Sequence, residues 1–197
     1  MIARQLRTAL IATIVLIVLL GVVYPLVVTG VSQVLFSHQA DGSLVNAKGR
    51  VVGSALIGQS FTDSAGHPLA RYFQPRPSAA GTGYDAMDSG GSNLGPSNPV
   101  LLRAVAQRVA AYRRFNGLAP DAAVPVDAVT ASGSGLDPDI SEANALDQAP
   151  RVARVRGLPV SAVIALVHAH VDDRPWGFLG EKTVNVLDLN LALDRMH

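Results

Sequence analysis

Two histidines and two aspartates near the carboxyl end are residue types that often hold a metal ion. They are His168, His170, Asp172 and Asp173. The apolar spacing of residues 158–171 predicts a helix, and side chains two positions apart on a helix point about 200° away from each other. Zinc ligands on a helix instead stand four positions apart, as in the HExxH motif. The spacing therefore predicts a polar helix end, and no metal ligands are expected.

A serine between glycines is the residue pattern of some nucleophilic hydrolases. Gly133, Ser134 and Gly135 form such a run, but it is shorter than the GxSxG elbow that exposes a catalytic serine after a strand. No catalytic residue is predicted on this basis. A membrane-anchored extracytoplasmic serine hydrolase using Ser132 or Ser134 stays open as an alternative.

Glycine-rich turns can also bind phosphate through their backbone N–H groups. The only candidates for nucleotide binding on this ground are Ser89, Gly90, Gly91 and Ser92. Residues 180–183 end like a phosphate-binding loop, but Glu181 separates glycine from lysine, and its charge would repel a phosphate. A flexible turn is the commoner meaning of residues 89–92, and no bound cofactor is predicted.

One uncharged segment decides on which side of a membrane the rest of the chain lies. Residues 9–28 read ALIATIVLIVLLGVVYPLVV, and these 20 residues are long enough as a helix to cross the hydrocarbon layer of a bilayer. Arg4 and Arg7 precede the segment, and the first charge after it is Asp41. Because positive residues stay on the cytoplasmic side, the amino terminus is predicted inside and the remainder outside.

The predicted organisation is a single N-terminal transmembrane helix followed by one mixed α+β extracytoplasmic domain with long Gly/Ser-rich loops. We expect a cytoplasmic amino terminus at 1–8, the transmembrane helix at 9–30, a helix extension and linker at 31–50, and the domain at 51–197. A cleaved signal peptide is an alternative, but its apolar region usually runs for about 7–15 residues and ends at a small-x-small site. A buried core helix is a third interpretation of the same segment.

Composition narrows the function classes. The 197 residues carry a formal net charge of +1 without a basic patch, so nucleic acid is not an expected partner. The absence of cysteine excludes disulfides and thiol chemistry. Aromatic residues make up only 5%, which disfavours sugar or base stacking. A binding or accessory role is favoured over catalysis.

The domain is predicted to mix helices with short strands. A polar linker or hairpin is expected at 41–50, strands within 51–61, and a long loop at 74–98, where glycine, serine, proline and asparagine dominate. Asn98 should cap a helix over 99–115 that stops at Gly117. The apolar stripe of that helix is expected to pack in the core.

The carboxyl-terminal half alternates further short elements. An extended segment is expected at 124–130, and Ser141 should cap a helix to about Gln148. Pro150 is expected to begin or continue a second helical piece that stops at Gly157. The last elements are the helix at 158–171, a strand at 183–184, and a helix capped by Asn185 that ends near Asp194.

Several strings in the chain resemble the KdpC family, the small accessory subunits of the bacterial high-affinity potassium-transporting P-type ATPase. They occur in the family's order: Tyr24-Pro25, GQSF at 58–61, YFQPRPSA at 72–79, Tyr84, SGGSNLGPSN at 89–98, PVDAVTASGSGLDPDIS at 125–141, QAPRVARVRGL at 148–158 and GFLGEKTVNVLDLNLALD at 177–194. The resemblance spans nearly the whole chain.

The resemblance implies a hetero-oligomeric complex in the bacterial inner membrane, with a channel-like potassium-selective subunit and an ATP-hydrolysing pump subunit as partners. The small subunit would stabilise assembly and raise the pump's apparent ATP affinity as a catalytic chaperone, while ATP and potassium are handled by the complex. Direct nucleotide binding by a cytoplasmic domain is the alternative within the family. It conflicts with the predicted sidedness.

Partner contacts are expected from the kinked helix and the polar loops. The candidates are Gly21, Tyr24, Pro25, Arg76, Ser78, Tyr84, Ser92, Asn93, Thr130, Ser132, Ser134, Asp137, Gln148 and Arg151. Arginine offers planar donors to a partner's carboxylates or carbonyls. The open alternative is internal: Arg76 and Asp137 would then hold the domain's own loops together.

Overall fold

The amino-terminal unit is an almost uninterrupted apolar helix. A computed structural model describes residues 2–196, and in it helix α1 spans Ile2–Val18 and α2 spans Tyr24–Leu35. A short helix α3 follows at Ser37–Ala40. The run Ile2–Leu35 is long and apolar enough to cross a membrane, and none of its most apolar window is buried within the chain. The predicted N-terminal apolar helix is therefore confirmed.

A π-helical turn at Leu19–Val23 joins α1 to α2. The ring of Pro25 would collide with the carbonyl four residues back, at Gly21, in a regular helix. The wider turn relieves this, and the N–H of Tyr24 donates to the Leu19 carbonyl. No atom would lie within 4 Å of a Cβ added at Gly21. Tyr24 is likewise exposed, so Gly21, Tyr24 and Pro25 remain open to a neighbouring helix.

The second unit comprises residues 45–196 and mixes helices with short strands, as predicted. Its elements in chain order are β1 Leu44–Ala47, β2 Arg50–Ser54, α4 Pro99–Asn116, β3 Asp139–Ser141, α5 Glu142–Arg156, α6 Val160–Ala169, β4 Val171–Asp172, β5 Thr183–Asn185 and α7 Val186–Leu193. The first strand begins one residue before the unit does. The hairpin alternative for residues 41–50 is confirmed, because Lys48 and Gly49 form the turn between β1 and β2.

The core lies where α5, α6 and α7 pack on a three-stranded antiparallel sheet of order β3-β5-β4. Val184 at the centre of β5 pairs with Ile140 on one side and Val171 on the other. The fully buried members of the core are Phe73, Ile140, Ala145, Ala149, Val152, Ala153, Val163, Val167, Val184, Val186, Leu189 and Leu193.

Local signals predicted the helix ends well. The Asn98 side chain accepts from the N–H of Val100, and Ser141 and Asn185 accept from the N–H groups of Asn144 and Asp188. Gly117 and Gly157 end α4 and α5 in the left-handed conformation.

Three predictions about elements need correction. Pro150 lies inside one continuous α5 rather than between two helical pieces, and its ring is exposed. Residues 126–128 form a 3-10 turn where an extended segment was expected. The apolar stripe of α4 is at most partly buried, with Leu102 more than half exposed, because the helix packs at the edge of the core rather than inside it.

Candidate functional site: two interlocked glycine-serine loops

Two segments without helix or strand pack against each other beside the core. We call residues 74–98 the first loop and residues 130–138 the second loop. Together they hold most of the residues predicted to contact a partner.

An ion pair and a shared serine join the two loops. Arg76 in the first loop donates to the Asp137 carboxylate in the second at 2.7 Å, and its guanidinium also reaches the Thr130 carbonyl at 3.4 Å. The Ser78 hydroxyl donates to the Gly135 carbonyl at 2.6 Å. The internal alternative for Arg76 and Asp137 is thus what the structure shows.

Tyr84 folds back over the start of its own loop. Its N–H donates to the Ser78 hydroxyl at 2.8 Å, and its phenol donates to the Arg76 carbonyl at 2.6 Å. Burial raises the pKa of the Tyr84 phenol well above its ordinary value, and the negative charge of Asp137 adds to the rise. The phenol therefore stays protonated and keeps donating at physiological pH.

Glycine allows the two loops to approach each other at Gly135, and allows the segment before the first loop to approach the second loop at Gly58. A Cβ at Gly135, whose φ is +69°, would lie 2.6 Å from the Gly90 carbonyl oxygen. A Cβ at Gly58 would lie 2.5 Å from the Asp137 carbonyl oxygen. Both contacts are to backbone, which cannot rotate away, so a side chain at Gly135 would push the two loops apart, and one at Gly58 would push the second loop away from residue 58.

Three of the four nucleotide candidates pack against the second loop. Ser89 donates its hydroxyl, and Gly90 its N–H, to the Ser134 carbonyl, each at 2.9 Å. Gly91 lies against the Gly133 carbonyl. A phosphate cradle needs such N–H groups free and convergent, and the Gly90 group already has an acceptor. Ser92 and Asn93 remain exposed at the surface.

The serines proposed for a hydrolase also have local partners. The hydroxyls of Ser132 and Ser134 lie 3.4 Å apart, and the Ser134 oxygen accepts from the Leu136 N–H at 3.1 Å. Within residues 2–196 neither hydroxyl is bonded to a histidine. The arrangement lacks the serine–base contact that activates a nucleophile.

The histidine and aspartate cluster is dispersed in the folded chain. The His168 ring pairs with the Glu142 carboxylate at 3.1 Å, and the His170 ring contacts the Leu166 carbonyl at 2.9 Å. Asp173 pairs with Lys182 at 3.0 Å. Among the described residues no group of three or more candidate ligands converges on a metal position.

Two buried side-chain amides bond the backbone that leads into the first loop, in the way that a neighbouring strand would. Asn190 accepts from the Phe73 N–H at 2.9 Å and donates to the Phe73 carbonyl at 3.0 Å. Likewise, Gln148 accepts from the Gln74 N–H at 2.7 Å and donates to the Gln74 carbonyl at 3.0 Å. Each amide mimics one rung of a β-ladder, so the segment entering the first loop is satisfied without a neighbouring strand.

Arg151 completes this network from the middle of α5. It is 1% exposed and donates to the Tyr72 carbonyl at 3.0 Å, Asn116 at 2.9 Å, Gln148 at 2.8 Å and the Ala70 carbonyl. Its guanidinium also lies 4.4 Å from the centre of the Phe115 ring. Burial lowers the pKa of Arg151 to about 10, so it stays charged at neutral pH.

The structure places Gln148 and Arg151, both predicted partner contacts, inside the domain. Both side chains are 1% exposed, and their donors and acceptors are used inside the domain. A partner cannot reach them without unfolding the segment that they hold. Their role is to position the first loop.

One acid beside the second loop makes stability depend on pH. Burial raises the pKa of Asp139, and the neighbouring charge of Asp137 raises it further. A folded-state pKa above the unfolded value means that the folded state holds the proton more tightly. Stability is therefore lost as pH rises from the ordinary aspartate pKa through the raised one.

Asp139→Asn is expected to raise the melting temperature of the full-length protein in detergent at pH 7, because the amide carries no charge to desolvate. The gain in melting temperature should shrink as pH falls and vanish at about pH 3, where the aspartate of the wild type is as neutral as the asparagine of the variant. Melts across this range check it. The exposed Asp121→Asn is the control, and a gain that persists in acid would contradict the electrostatic cause.

An exposed aromatic loop was missed by the sequence analysis. Between β4 and β5 the chain turns at residues 174–181, which we call the aromatic tip: Trp176 is 84% and Phe178 69% exposed, with ring centroids 6.5 Å apart. Trp176 adopts φ +55°, which is uncommon for a bulky residue. The signal available beforehand was the chain's single tryptophan standing between proline and glycine.

The charges at the aromatic tip cancel in pairs. Arg174 pairs with Glu181 at 2.6 Å, and Lys182 pairs with Asp173 at 3.0 Å. The loop thus presents aromatic rings with little net charge, which is the surface chemistry of a contact site.

Comparison with known proteins covers almost all of the chain. The family model described as "KdpC: K+-transporting ATPase, c chain" matches residues 6–195. A protein named "Potassium-transporting ATPase KdpC subunit" from Mycobacterium tuberculosis is 58% identical over 193 residues, covering 98% of this chain and 99% of that protein. Proteins of the same name from Caulobacter vibrioides and Rhodospirillum rubrum are 55% and 54% identical, covering 96% and 97% of this chain and 92% and 95% of theirs.

The match runs through the apolar helix, both loops and the aromatic tip, and it confirms the resemblance found in the sequence. By this extent and identity the chain belongs to the KdpC family, the c chains of K+-transporting ATPases.

Proposed function

We propose that this protein is the non-catalytic accessory subunit of a high-affinity, ATP-driven potassium uptake complex. The observation that carries the proposal is the family match over residues 6–195, joined to an apolar helix that is long enough to cross a membrane and whose most apolar window is not buried. The partners are a channel-like potassium-selective subunit and an ATP-hydrolysing pump subunit. The helix lies in the bacterial inner membrane, in contact with lipid and with these subunits.

The domain lies outside the cytoplasm in this proposal. Arg4 and Arg7 stand before the apolar helix, and no other charge appears until Asp41, whose carboxylate accepts from Gln33 at 3.0 Å. Retention of positive residues in the cytoplasm supports this sidedness. The subunit then stabilises assembly and raises the pump's apparent ATP affinity through a coupling free energy carried by the membrane subunits, without touching ATP.

The aromatic tip is the domain's contact with a larger subunit. Tryptophan is enriched among the residues that dominate binding energy, and such residues insert into desolvated pockets. Trp176 and Phe178 are held outward on a short loop whose charged flanks are paired. A neutral, apolar pocket on the partner's extracytoplasmic face complements this surface. The exposed Ser92 and Asn93 of the first loop lie on the same domain and are secondary contacts.

Labelling of a single introduced cysteine tests the sidedness. The chain has no native cysteine, so Ser92→Cys and Ala3→Cys each create one reactive site, and both positions are exposed. In whole cells whose outer layers admit a membrane-impermeant maleimide, Ser92→Cys should react and Ala3→Cys should react only after lysis. The reverse pattern would place the domain in the cytoplasm and overturn the proposal.

A further inference from the structure

A basic groove lies between the β1–β2 hairpin and the end of α7. Its volume is about 750 Å³, and its walls are Asn46, Ala47, Lys48, Arg50, Val52, Leu191, Asp194 and Arg195. The groove belongs to neither loop of the site described above. Its lining brings three cations and one acid to the same concave surface.

The acid in the basic groove is already compensated. One oxygen of Asp194 accepts from Arg156 at 2.6 Å, and the other accepts from the Tyr72 phenol at 3.1 Å. Within residues 2–196, by contrast, Lys48, Arg50 and Arg195 form no ion pair with an acid. The lining of the groove therefore carries three cations and one acid, and that acid is bonded to Arg156.

The hairpin turn holds one of these cations at the rim. Lys48 and Gly49 occupy the turn with φ of +51° and +76°. Two-residue turns with both φ values positive favour Asn-Gly, because a larger side chain is disfavoured in the left-handed region. The groove nevertheless has lysine at this first turn position, and Lys48 and Arg50 both line it.

The end of α7 does little to offset the positive charge. The carbonyls of its last turn would carry negative potential, but those of Ala192 and Leu193 accept from the N–H groups of Arg195 and Met196. Their potential is thereby reduced near Arg195.

The groove residues Asn46 to Arg50 also follow the apolar helix Ile2–Leu35 after a short connecting segment, residues 36–45.

We propose that the basic groove binds a phosphate group, supplied by an anionic lipid headgroup or by free inorganic phosphate. Two guanidinium groups offer forked donors to phosphate oxygens, and the Lys48 ammonium adds a point charge. The groove is large enough to admit the glycerol of a headgroup along with the phosphate.

The basic groove is remote from the aromatic tip, so the two proposals fail independently. Glu142, at the start of α5, shares a surface depression with Arg174 and Glu181 of the tip. Arg156, at the other end of α5, bonds Asp194 of the groove. The 15 residues of α5 separate these ends by about 22 Å. Phosphate binding can be measured without assembly of the complex.

The test uses the full-length chain in non-ionic detergent. Val51→Cys carries an environment-sensitive fluorophore, because Val51 is exposed and points to the strand face opposite the groove-lining Val52. The probes are inorganic phosphate, short-chain phosphatidylglycerol and short-chain phosphatidylcholine. The groove variant is Arg50→Gln with Arg195→Gln. The matched control removes two exposed arginines of α4, by Arg103→Gln with Arg114→Gln.

A saturable response that the groove variant weakens about thirtyfold, with the α4 control unchanged, supports the proposal, since each of the two cations near an anionic headgroup contributes about 1 kcal/mol. A response to phosphatidylglycerol alone assigns the lipid source, and a response to inorganic phosphate assigns the free ion. No saturable response to either probe, equal loss in both double variants, or an equal response to phosphatidylcholine overturns it.

Discussion

Replacing Arg151 by methionine is expected to lower the free energy of unfolding of the domain by about 3–5 kcal/mol. Methionine fills a similar volume but donates nothing. The Ala70 and Tyr72 carbonyls and the side-chain oxygens of Asn116 and Gln148 would lose a donor in a buried place. Because Asn116 and Gln148 are buried and Ala70 and Tyr72 are partly buried, water does not fully replace the lost hydrogen bonds.

Thermal unfolding of the full-length protein in detergent, followed by circular dichroism, measures this loss. A domain of this size should melt about 10 °C lower or more. Arg154→Met is the matched control, since Arg154 lies one turn from the same site on α5 but is exposed. Equal melting of Arg151→Met and the wild type would show that the network does not support the fold.

Removing both rings of the aromatic tip, by Trp176→Ala with Phe178→Ala, is expected to reduce recovery of the assembled complex at least tenfold. A buried tryptophan at an interface commonly contributes about 2 kcal/mol or more, and the tenfold loss corresponds to about 1.4 kcal/mol. Both rings are exposed in the isolated chain, so the variant should fold as the wild type does.

Co-purification of the larger subunits with a tagged full-length chain measures the effect. Leu102→Ala serves as the control, because it removes an exposed apolar side chain from α4 instead. A normal melting temperature with lost co-purification supports a contact role for the tip. Full recovery of the complex by the double variant would remove the tip from the interface, while the family membership of the chain would stand.

Helix boundaries were predictable because their signals are local. A cap needs one side-chain oxygen two or three residues before an N–H group, and Asn98, Ser141 and Asn185 supply it within one turn of sequence. Pro150 shows the limit of such reasoning. Proline disfavours a helix interior, yet α5 continues through it, because the helix on both sides is held by burial of Ala149 and Val152 in the core.

Partner-facing and internal polar residues could not be separated by sequence. Arg151 and Arg154 are the same residue type on the same helix, but one is buried and the other exposed. What decides between them is contact with Asn116 and residues 70–72, far away in the chain. The same holds for Ser89 and Gly90, whose acceptor Ser134 lies in another loop.

The sequence by itself determined the apolar helix, the mixed class of the domain, most helix ends and the family, because length, periodicity, capping and extended motifs all act over short stretches. Only the tertiary structure decided which polar groups are used up within the domain and which remain exposed. It paired Arg76 with Asp137, enclosed Arg151, and left Trp176 and the cations of the basic groove at the surface. The reason is that burial and hydrogen-bond satisfaction depend on residues brought together from distant parts of the chain.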